Sequence, residues 1–437
     1  MRYRADPEDQ NGRQEQETGA AMLSYQRLTA ALRDGDWLIG RRILVYSGML
    51  LALEIAAFIF FVAGTHGWVV PLHKPITTDF ASFYAAGSLA DAGTPQATYN
   101  QALHLAAEER ATAPGIDYVL FFYPPVFMLI CALFARLPYL AAFVAFEGLT
   151  LIPCMLVLKS ILREKGWAVL LTLLAFPAAL INIGVGQNAF LTAALFGGAT
   201  LLIDRKPVLA GLLFGALCYK PHFGLLIPVA LLAGRHWRAI AGAAVSVTVL
   251  VLLSGVILGF DTWQTFIVAM TGSHSIYESG QVDFAAFVSS FGAIRLLGFS
   301  PAVAYAVQVG AALAAAASVA MVWRQGLSLP LRAATLAAAT LVALPLALFY
   351  DLMLAALAMA WLVRAGRETG FLPWEKTLLL VVFLSPLLTR GISNSLHLPV
   401  ATLACIALLS ACIVRARHEL SRRPLLRYFG VLEFSRS

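Results

Sequence analysis

Asp79 lies in Thr78-Asp79-Phe80-Ala81-Ser82-Phe83-Tyr84-Ala85-Ala86-Gly87, the first acid-bearing segment after the first long apolar run. On a helix, Asp79, Phe83 and Ala86 share one face, and Phe80, Tyr84 and Gly87 share the adjacent one. An acid on an aromatic face beside a membrane suits a sugar, bound by groups such as Tyr84 while the carboxylate collects a proton. The same residues also read as a helix start, with Thr77-Thr78-Asp79 as its N-cap. Lys220, in Tyr219-Lys220-Pro221-His222, stands at a helix-breaking proline between two apolar runs. There it serves either as a point charge for a phosphate, with His222 as a second contact, or as a snorkelling, topogenic lysine. Asp351, after Tyr350, is an acid between two apolar helices, so the pair reads as a sugar or acceptor contact or Asp351 as a cap on the next helix. Gln187 and Asn188 have the same two readings, as partners of sugar hydroxyls or as a helix cap.

Other polar residues are less telling. Glu54 lies near the middle of the first apolar run, where a carboxylate must be protonated or face the bundle interior. His274, Glu278 and Asp283 are separated by four and five residues within a loop, a loose pattern for metal ligands. A divalent metal is therefore unsupported, and no metal ligand or cofactor is assigned. Cys131, Cys154, Cys218, Cys405 and Cys412 all fall in apolar runs without metal-ligand spacing and read as small hydrophobes.

The elements that must position these groups follow from composition. The 437 residues are 60% hydrophobic and 13% charged, against about 25% charge in an ordinary soluble domain. The apolar runs show no period of two, so the expected fold class is an all-α polytopic membrane protein, not a barrel. The net charge of +7 resides in short basic clusters between apolar runs. That distribution sets topology and does not make a nucleic-acid surface.

Residues 1–42 read as a cytoplasmic N-terminal tail rich in arginine, 43–414 as the membrane domain, and 415–437 as a basic cytoplasmic tail. Ile43–Gly64 is the first span. Residues 65–137 then form the first extracytoplasmic loop, with short helices at about Phe80–Ala92 and Asn100–Ala111 broken at Gly93-Thr94-Pro95. Placing Val126–Leu137 along the outer interface puts Lys159, Arg163, Lys165, Arg205 and Lys206 inside, as the positive-inside rule asks. The remaining spans are Pro138–Leu162, Trp167–Gly184, Ala189–Ile203, Val208–Cys218, Phe223–Ala233, Ala239–Gly259, Pro301–Trp323, Ala333–Leu348, Leu352–Val363, Thr377–Leu388 and Leu398–Val414. That makes about twelve helices and returns the C-terminus to the cytoplasm.

Two pairs in this set are short. At about 1.5 Å per residue, an eleven-residue helix covers roughly 16 Å, about half of the hydrocarbon core. Val208–Cys218 with Phe223–Ala233 turns at Lys220. Ala333–Leu348 with Leu352–Val363 turns at Phe349-Tyr350-Asp351. Both turns are expected deep in the outer half of the membrane, where polar, irregular backbone is tolerated only if it lines protein or water. Gln187-Asn188, the loop Phe260–Ser300 and the segment Arg390–His397 are expected on the same side. No Gly-rich nucleotide cradle, nucleophile elbow or zinc motif is present, so a transferase of this shape would draw on a lipid-borne donor.

Taken in order, Asp79-Phe80…Phe83-Tyr84-Ala85-Ala86-Gly87 with Tyr99, Tyr123-Pro124-Pro125, Gly186-Gln187-Asn188, Lys220-Pro221-His222-Phe223-Gly224 and Tyr350-Asp351-Leu352 resemble glycosyltransferase family 87. The resemblance covers about Thr77 to Leu352. It implies a GT-C-like bundle of about twelve transmembrane helices with short outer interfacial helices. It also implies a hexosyltransferase that moves a sugar, mannose in the family's α-1,2-mannosyltransferases, from a polyprenyl-phosphate donor to a glycan or glycolipid acceptor. Asp79 would be the general base of an inverting reaction in the plasma (inner) membrane, with an extracytoplasmic site. The family pattern commonly has an aspartate where this chain has Tyr99-Asn100, and often two where it has Asp351 alone. Two other classes remain open: a lipid-linked-sugar transporter or flippase, expected to show similar halves and polar positions through the membrane depth, and a non-catalytic envelope-assembly membrane protein.

Overall fold

The computed structural model describes residues 25–63, 78–272, 276, 278–280 and 282–433. Among them the chain is helical without a β-strand, apart from one isolated bridge between Phe287 and Leu348. Among the described residues, seven helices are long and apolar enough to cross a membrane, or eight if one bent pair counts as a span. The protein is thus all-α and polytopic. Five shorter apolar helices lie between the long ones.

Helix α1 (Gly40–Ala63) is the first of the long ones. Then α2 (Thr78–Asp91), a 3-10 turn (Pro95–Tyr99) and α3 (Gln101–Ala111) follow one another, the last capped by Asn100 Oδ1 accepting from the Leu103 N–H at 3.2 Å. The two short helices expected at about Phe80–Ala92 and Asn100–Ala111 are thus present to within two residues at each end. Proline starts α4 (Pro125–Ala135), which packs on α2. A side chain at Gly87 would put its Cβ 2.3 Å from the Cys131 carbonyl oxygen, so the two helices meet closely only because position 87 has none. Helix α5 (Tyr139–Leu162) spans in one piece.

The run expected as one span over Trp167–Gly184 is instead two helices, α6 (Ala168–Leu174) and α7 (Pro177–Val185), bent by 64°. Pro177 cannot donate into the preceding turn, so the helix ends and restarts there. After α8 (Ala189–Leu202), α9 (Pro207–Ala216) leads into the 3-10 turns Leu217–Tyr219 and Pro221–Gly224 and then α10 (Ile227–Ala233). Helix α11 (Trp237–Leu258) lies against α9, with Gly211 and Gly215 facing the Ala239 and Ala243 carbonyls. This seam of small residues fixes α9, and with it the Lys220 turn.

The region expected as a loop, Phe260–Ser300, contains α12 (Phe260–Gly272) and α13 (Ser290–Leu296). Helix α14 (Pro301–Arg324) is followed by α15 (Leu329–Ala343), in which every residue from Ala333 to Ala343 is buried. An all-round apolar helix of small residues belongs in the middle of a bundle. The turn Phe349–Leu352 leads into α16 (Met353–Thr369), α17 (Glu375–Leu396) and α18 (Val400–Glu433).

Three boundaries correct the sequence reading. The helix expected to stop at Val363 runs on to Thr369, because Arg364 pairs with Glu368 at 3.0 Å and Arg367 with Glu164 at 2.8 Å at its end. Together with its leading turn it is a 21-residue candidate span, not a half-length helix. The segment Arg390–His397 is not a loop: α17 continues to Leu396, its Ser385 and Thr389 hydroxyls bonding back to carbonyls of the same helix. The presumed tail likewise continues α18, where Arg415 is buried and pairs with Glu375 at 2.9 Å.

The ion pairs show which helix ends lie together. Arg367–Glu164 and Arg163–Glu368 join the ends of α5 and α16, Arg332–Asp204 joins the end of α8 to the start of α15, and Arg415–Glu375 joins the middle of α18 to the start of α17. One end of the bundle is thus a basic belt tied by acids. The polar motifs lie at the opposite ends of the same helices, Asn188 at the start of α8 and Asp351 before α16.

Candidate functional site

Five of the residues singled out in the sequence form one continuous hydrogen-bonded chain. Gln187 Nε2 donates to Asp79 Oδ2 at 3.0 Å. Gln187 Oε1 accepts from the Tyr123 hydroxyl at 3.0 Å and from the Asn188 N–H at 2.7 Å. The amide's orientation is thereby determined, since only its oxygen can take two donors. Asn188 Oδ1 accepts from Lys220 Nζ at 3.3 Å, and Lys220 pairs with Asp351 Oδ1 at 2.7 Å. Asp351 Oδ2 accepts the Leu348 N–H at 3.0 Å, which closes the turn before α16. Gln187, Asn188, Lys220 and Asp351 are buried, whereas Asp79, Tyr123 and Tyr350 are half-buried.

These contacts decide several of the double readings. Asp79 is not an N-cap: it lies inside the first turn of α2, where its charge also suits the helix N-terminus, and its carboxylate turns to Gln187. Asn188 occupies the N-cap position of α8 but makes no side-chain cap, using its oxygen for Lys220 instead. Asp351 closes its own turn and pairs with Lys220, so it does not cap α16. Lys220 is no snorkelling lysine. Its side chain is 4% exposed, and Nζ lies 4.8 Å from the Phe223 ring centre and 5.3 Å from that of Tyr350. It is also not a lone cation, because Asp351 neutralises it.

Depth follows from helix length. From Asn188 to the basic belt α8 runs 14 residues, about 21 Å at 1.5 Å per residue, against a hydrocarbon core of about 30 Å. With the belt at one membrane surface, the Asn188–Lys220 contact sits roughly 10 Å beneath the other.

The sequence marks Tyr123 by its place before Pro124-Pro125 and gives it no role of its own. It is central here: its hydroxyl orients Gln187, its carbonyl accepts the Tyr99 hydroxyl at 2.8 Å, and its ring packs 5.3 Å from Phe83 and 4.6 Å from Phe127. Burial, with the nearby Asp79 and Asp351 carboxylates, pushes the Tyr123 phenol well above its ordinary range, so it stays a donor. Asn188 Nδ2, buried at the same place, has no acceptor among the described residues. Lys220 Nζ has three N–H groups and two oxygen acceptors. The site therefore has donors in hand for a further oxygen-rich group.

Other sequence candidates lie elsewhere. The Tyr84 hydroxyl donates to the Leu137 carbonyl at 3.0 Å and its ring packs on Tyr139, which clamps α2 to the α4–α5 corner. His222 is exposed on the hairpin with its ring 5.0 Å from Phe223, and no hydrogen bond joins it to Lys220 or Asp351. Asp283 caps the turn Phe284–Ala286 and meets Arg390 and Asn394 at 3.4 Å. His274 is outside the described residues. Glu54 has both carboxylate oxygens buried without a hydrogen-bond partner among the described residues.

One further cluster imitates a catalytic triad and fails as one. His104 Nε2 is 3.0 Å from Ser82 Oγ and 3.3 Å from Glu108 Oε1. A triad needs the serine and the acid on different ring nitrogens, and all three residues are fully buried between α2 and α3. The cluster holds these helices together.

Residues 121–348 match the model of glycosyltransferase family 87. The match contains Tyr123, Gln187, Asn188, Lys220 and His222; Asp79 and Tyr84 precede it, and Tyr350 and Asp351 follow it directly. No curated protein and no solved structure matches the chain.

Proposed function

With just over half its length in the match, the chain belongs to glycosyltransferase family 87 and is a membrane glycosyltransferase; on that premise we propose that it transfers a hexose, mannose, from a polyprenyl-phosphate donor to a glycan or glycolipid acceptor. The observation that carries the reading is the unbroken chain from Asp79 through Gln187 and Asn188 to Lys220 and Asp351. It puts a half-buried carboxylate and a buried ammonium in one polar seam below the membrane surface.

Asp79 acts as general base on the acceptor hydroxyl, which attacks the anomeric carbon and inverts it. The C1–O bond to phosphate breaks, and the phosphate leaves as an anion without an obligatory acid. Stabilising that anion is the larger contribution. The free N–H of Lys220 and the Asn188 amide donate to its oxygens, while Asp351 holds the ammonium in place. Gln187 holds the Asp79 carboxylate in place through a hydrogen bond to Oδ2. Tyr350, over Lys220, lines the sugar side, with His222 at the lipid-facing edge where the polyprenyl chain enters. The site faces the extracytoplasmic side of the inner membrane, both termini being cytoplasmic, because the basic belt at the far helix ends follows the positive-inside rule.

The test is transfer from labelled polyprenyl-phosphate mannose by the purified protein in nanodiscs, with membrane glycolipids as acceptors. Asp79→Asn should abolish transfer while the protein stays folded and still binds donor. Full activity in that variant would reject Asp79 as the base.

A further inference from the structure

Behind the Gln187-Asn188 turn lies a buried acid that the mechanism above leaves unused. Glu147, in the first half of α5, is 7% exposed, and its Oε2 accepts from Asn182 Nδ2 at 3.1 Å. Its other oxygen has no partner, and no cation pairs with it among the described residues. Asn182, fully buried in the last turns of α7, is the brace of the turn itself. Its side-chain oxygen accepts the Ala189 N–H at 2.9 Å. Its carbonyl accepts the Gly186 and Gln187 N–H groups at 2.8 and 3.0 Å. Three N–H groups on either side of Asn188 thus bond to one residue, the Gly186 N–H reaching the Ile183 carbonyl as well, at 3.2 Å.

That brace works only with the amide in one orientation. Were Asn182 turned over, its NH₂ group would face the Ala189 N–H, two donors in dry surroundings. In the observed orientation Glu147 Oε2 takes a hydrogen bond from the Asn182 NH₂ group, which leaves the amide oxygen to the Ala189 N–H. Gly186, at φ +71°, has room for nothing larger, since a Cβ there would fall 2.5 Å from that of Phe80. The turn is therefore pressed against α2 directly beside Asp79, and small shifts in it move Gln187 relative to the carboxylate.

We propose that Glu147 is a positioning residue for sugar transfer, acting through Asn182 to hold Gln187 and Asn188 between Asp79 and the Lys220–Asp351 pair. The proposal deepens the reading of the site given above and rests on it for its catalytic consequence. Glu147 touches neither donor nor acceptor; its effect is on where the groups that do so stand. An intramembrane carboxylate with one neutral partner is a costly choice for packing alone, and Leu or Met would fill the same space.

The test joins amide hydrogen exchange to steady-state kinetics in Glu147→Leu and Glu147→Gln. In Glu147→Leu, exchange at Gly186, Gln187 and Ala189 should rise by about tenfold or more while α15 stays as in the native protein. The kcat should fall by about 100-fold with the donor KM changed by less than about twofold, the mark of misplaced reacting groups. Glu147→Gln, whose side-chain oxygen can still accept from Asn182, should restore most of both. If Glu147→Leu does not fold, Glu147→Asp, one methylene short of Asn182, carries the same comparison. Unchanged exchange at the three amides overturns the bracing, whatever the turnover. Raised exchange with native kcat overturns its catalytic consequence. Raised exchange in a protein whose native form transfers no sugar supports the bracing and counts against the assigned reaction instead.

Discussion

Breaking the Lys220–Asp351 pair gives the most direct measurement of how dry the polar seam is. The side chains are 4% and 1% exposed and meet at 2.7 Å. Lys220→Met removes the ammonium and leaves the Asp351 carboxylate with the Leu348 N–H as its one remaining hydrogen bond in the site, at 3.0 Å. An unpaired charge so placed costs about 3–5 kcal/mol. The Asn188 oxygen loses its donor too, for about 1 kcal/mol more. Asp351→Asn strands the ammonium in the same way. Changing both removes both charges, and Asn at 351 keeps an acceptor for the Leu348 N–H, so the double variant should lie within about 1–2 kcal/mol of the native protein. On these figures the expected coupling is at least about 5 kcal/mol. Unfolding by dodecyl sulfate in mixed micelles, applied to all four proteins, measures it. The double variant should recover stability but no transfer, since the ammonium proposed to hold the donor phosphate is gone. Additive losses, with coupling below about 0.5 kcal/mol, would mean that the carboxylate is hydrated and that the seam is not dry.

Two further outcomes follow from the packing of the first loop. Gly87→Ala should cost about 1–3 kcal/mol and reduce transfer, because its Cβ would fall 2.3 Å from the Cys131 carbonyl oxygen and push α2 from α4; a native-like melting temperature would show that the crossing is loose. The Tyr118 phenol is raised from 10.0 to about 12, by burial first and the Glu108 carboxylate second. Its contribution to stability is thus complete below the unfolded value of about 10 and is lost between pH about 10 and 12, some 2–3 kcal/mol in all. The gap in stability between the native protein and Tyr118→Phe should shift over that window, and parallel pH curves would refute the assignment.

What the sequence alone determined is what neighbouring residues determine. Hydropathy made the chain a helical membrane protein, Gly93-Thr94-Pro95 separated α2 from α3, and the order of polar motifs marked Asp79, Gln187, Asn188, Lys220 and Asp351 as one set. Local signals misled where a partner far along the chain intervened. The sequence predicts an end for α17 at Leu388, yet Ser385 and Thr389 bond within their own helix, which runs on to Leu396. It predicts an end for α16 at Val363, yet Arg367 pairs with Glu164 from beyond another helix and α16 runs on to Thr369.

Only the tertiary structure decided which polar groups meet. Lys220 reads from its surroundings as a free cation, and nothing in its neighbourhood names Asp351, 131 residues away, as its counter-ion. Glu147 and Asn182 were invisible because each is a single polar residue in an apolar run, significant only once α5 and α7 are side by side. Tyr123 stands out in the sequence through its neighbouring prolines, but its bond to Gln187 depends on how the start of α4 meets the turn between α7 and α8. Backbone conformation is set by short-range sterics and water, which a sequence displays. The pairing of buried charges is set by the low dielectric between packed helices, where a few ångströms choose one partner over another.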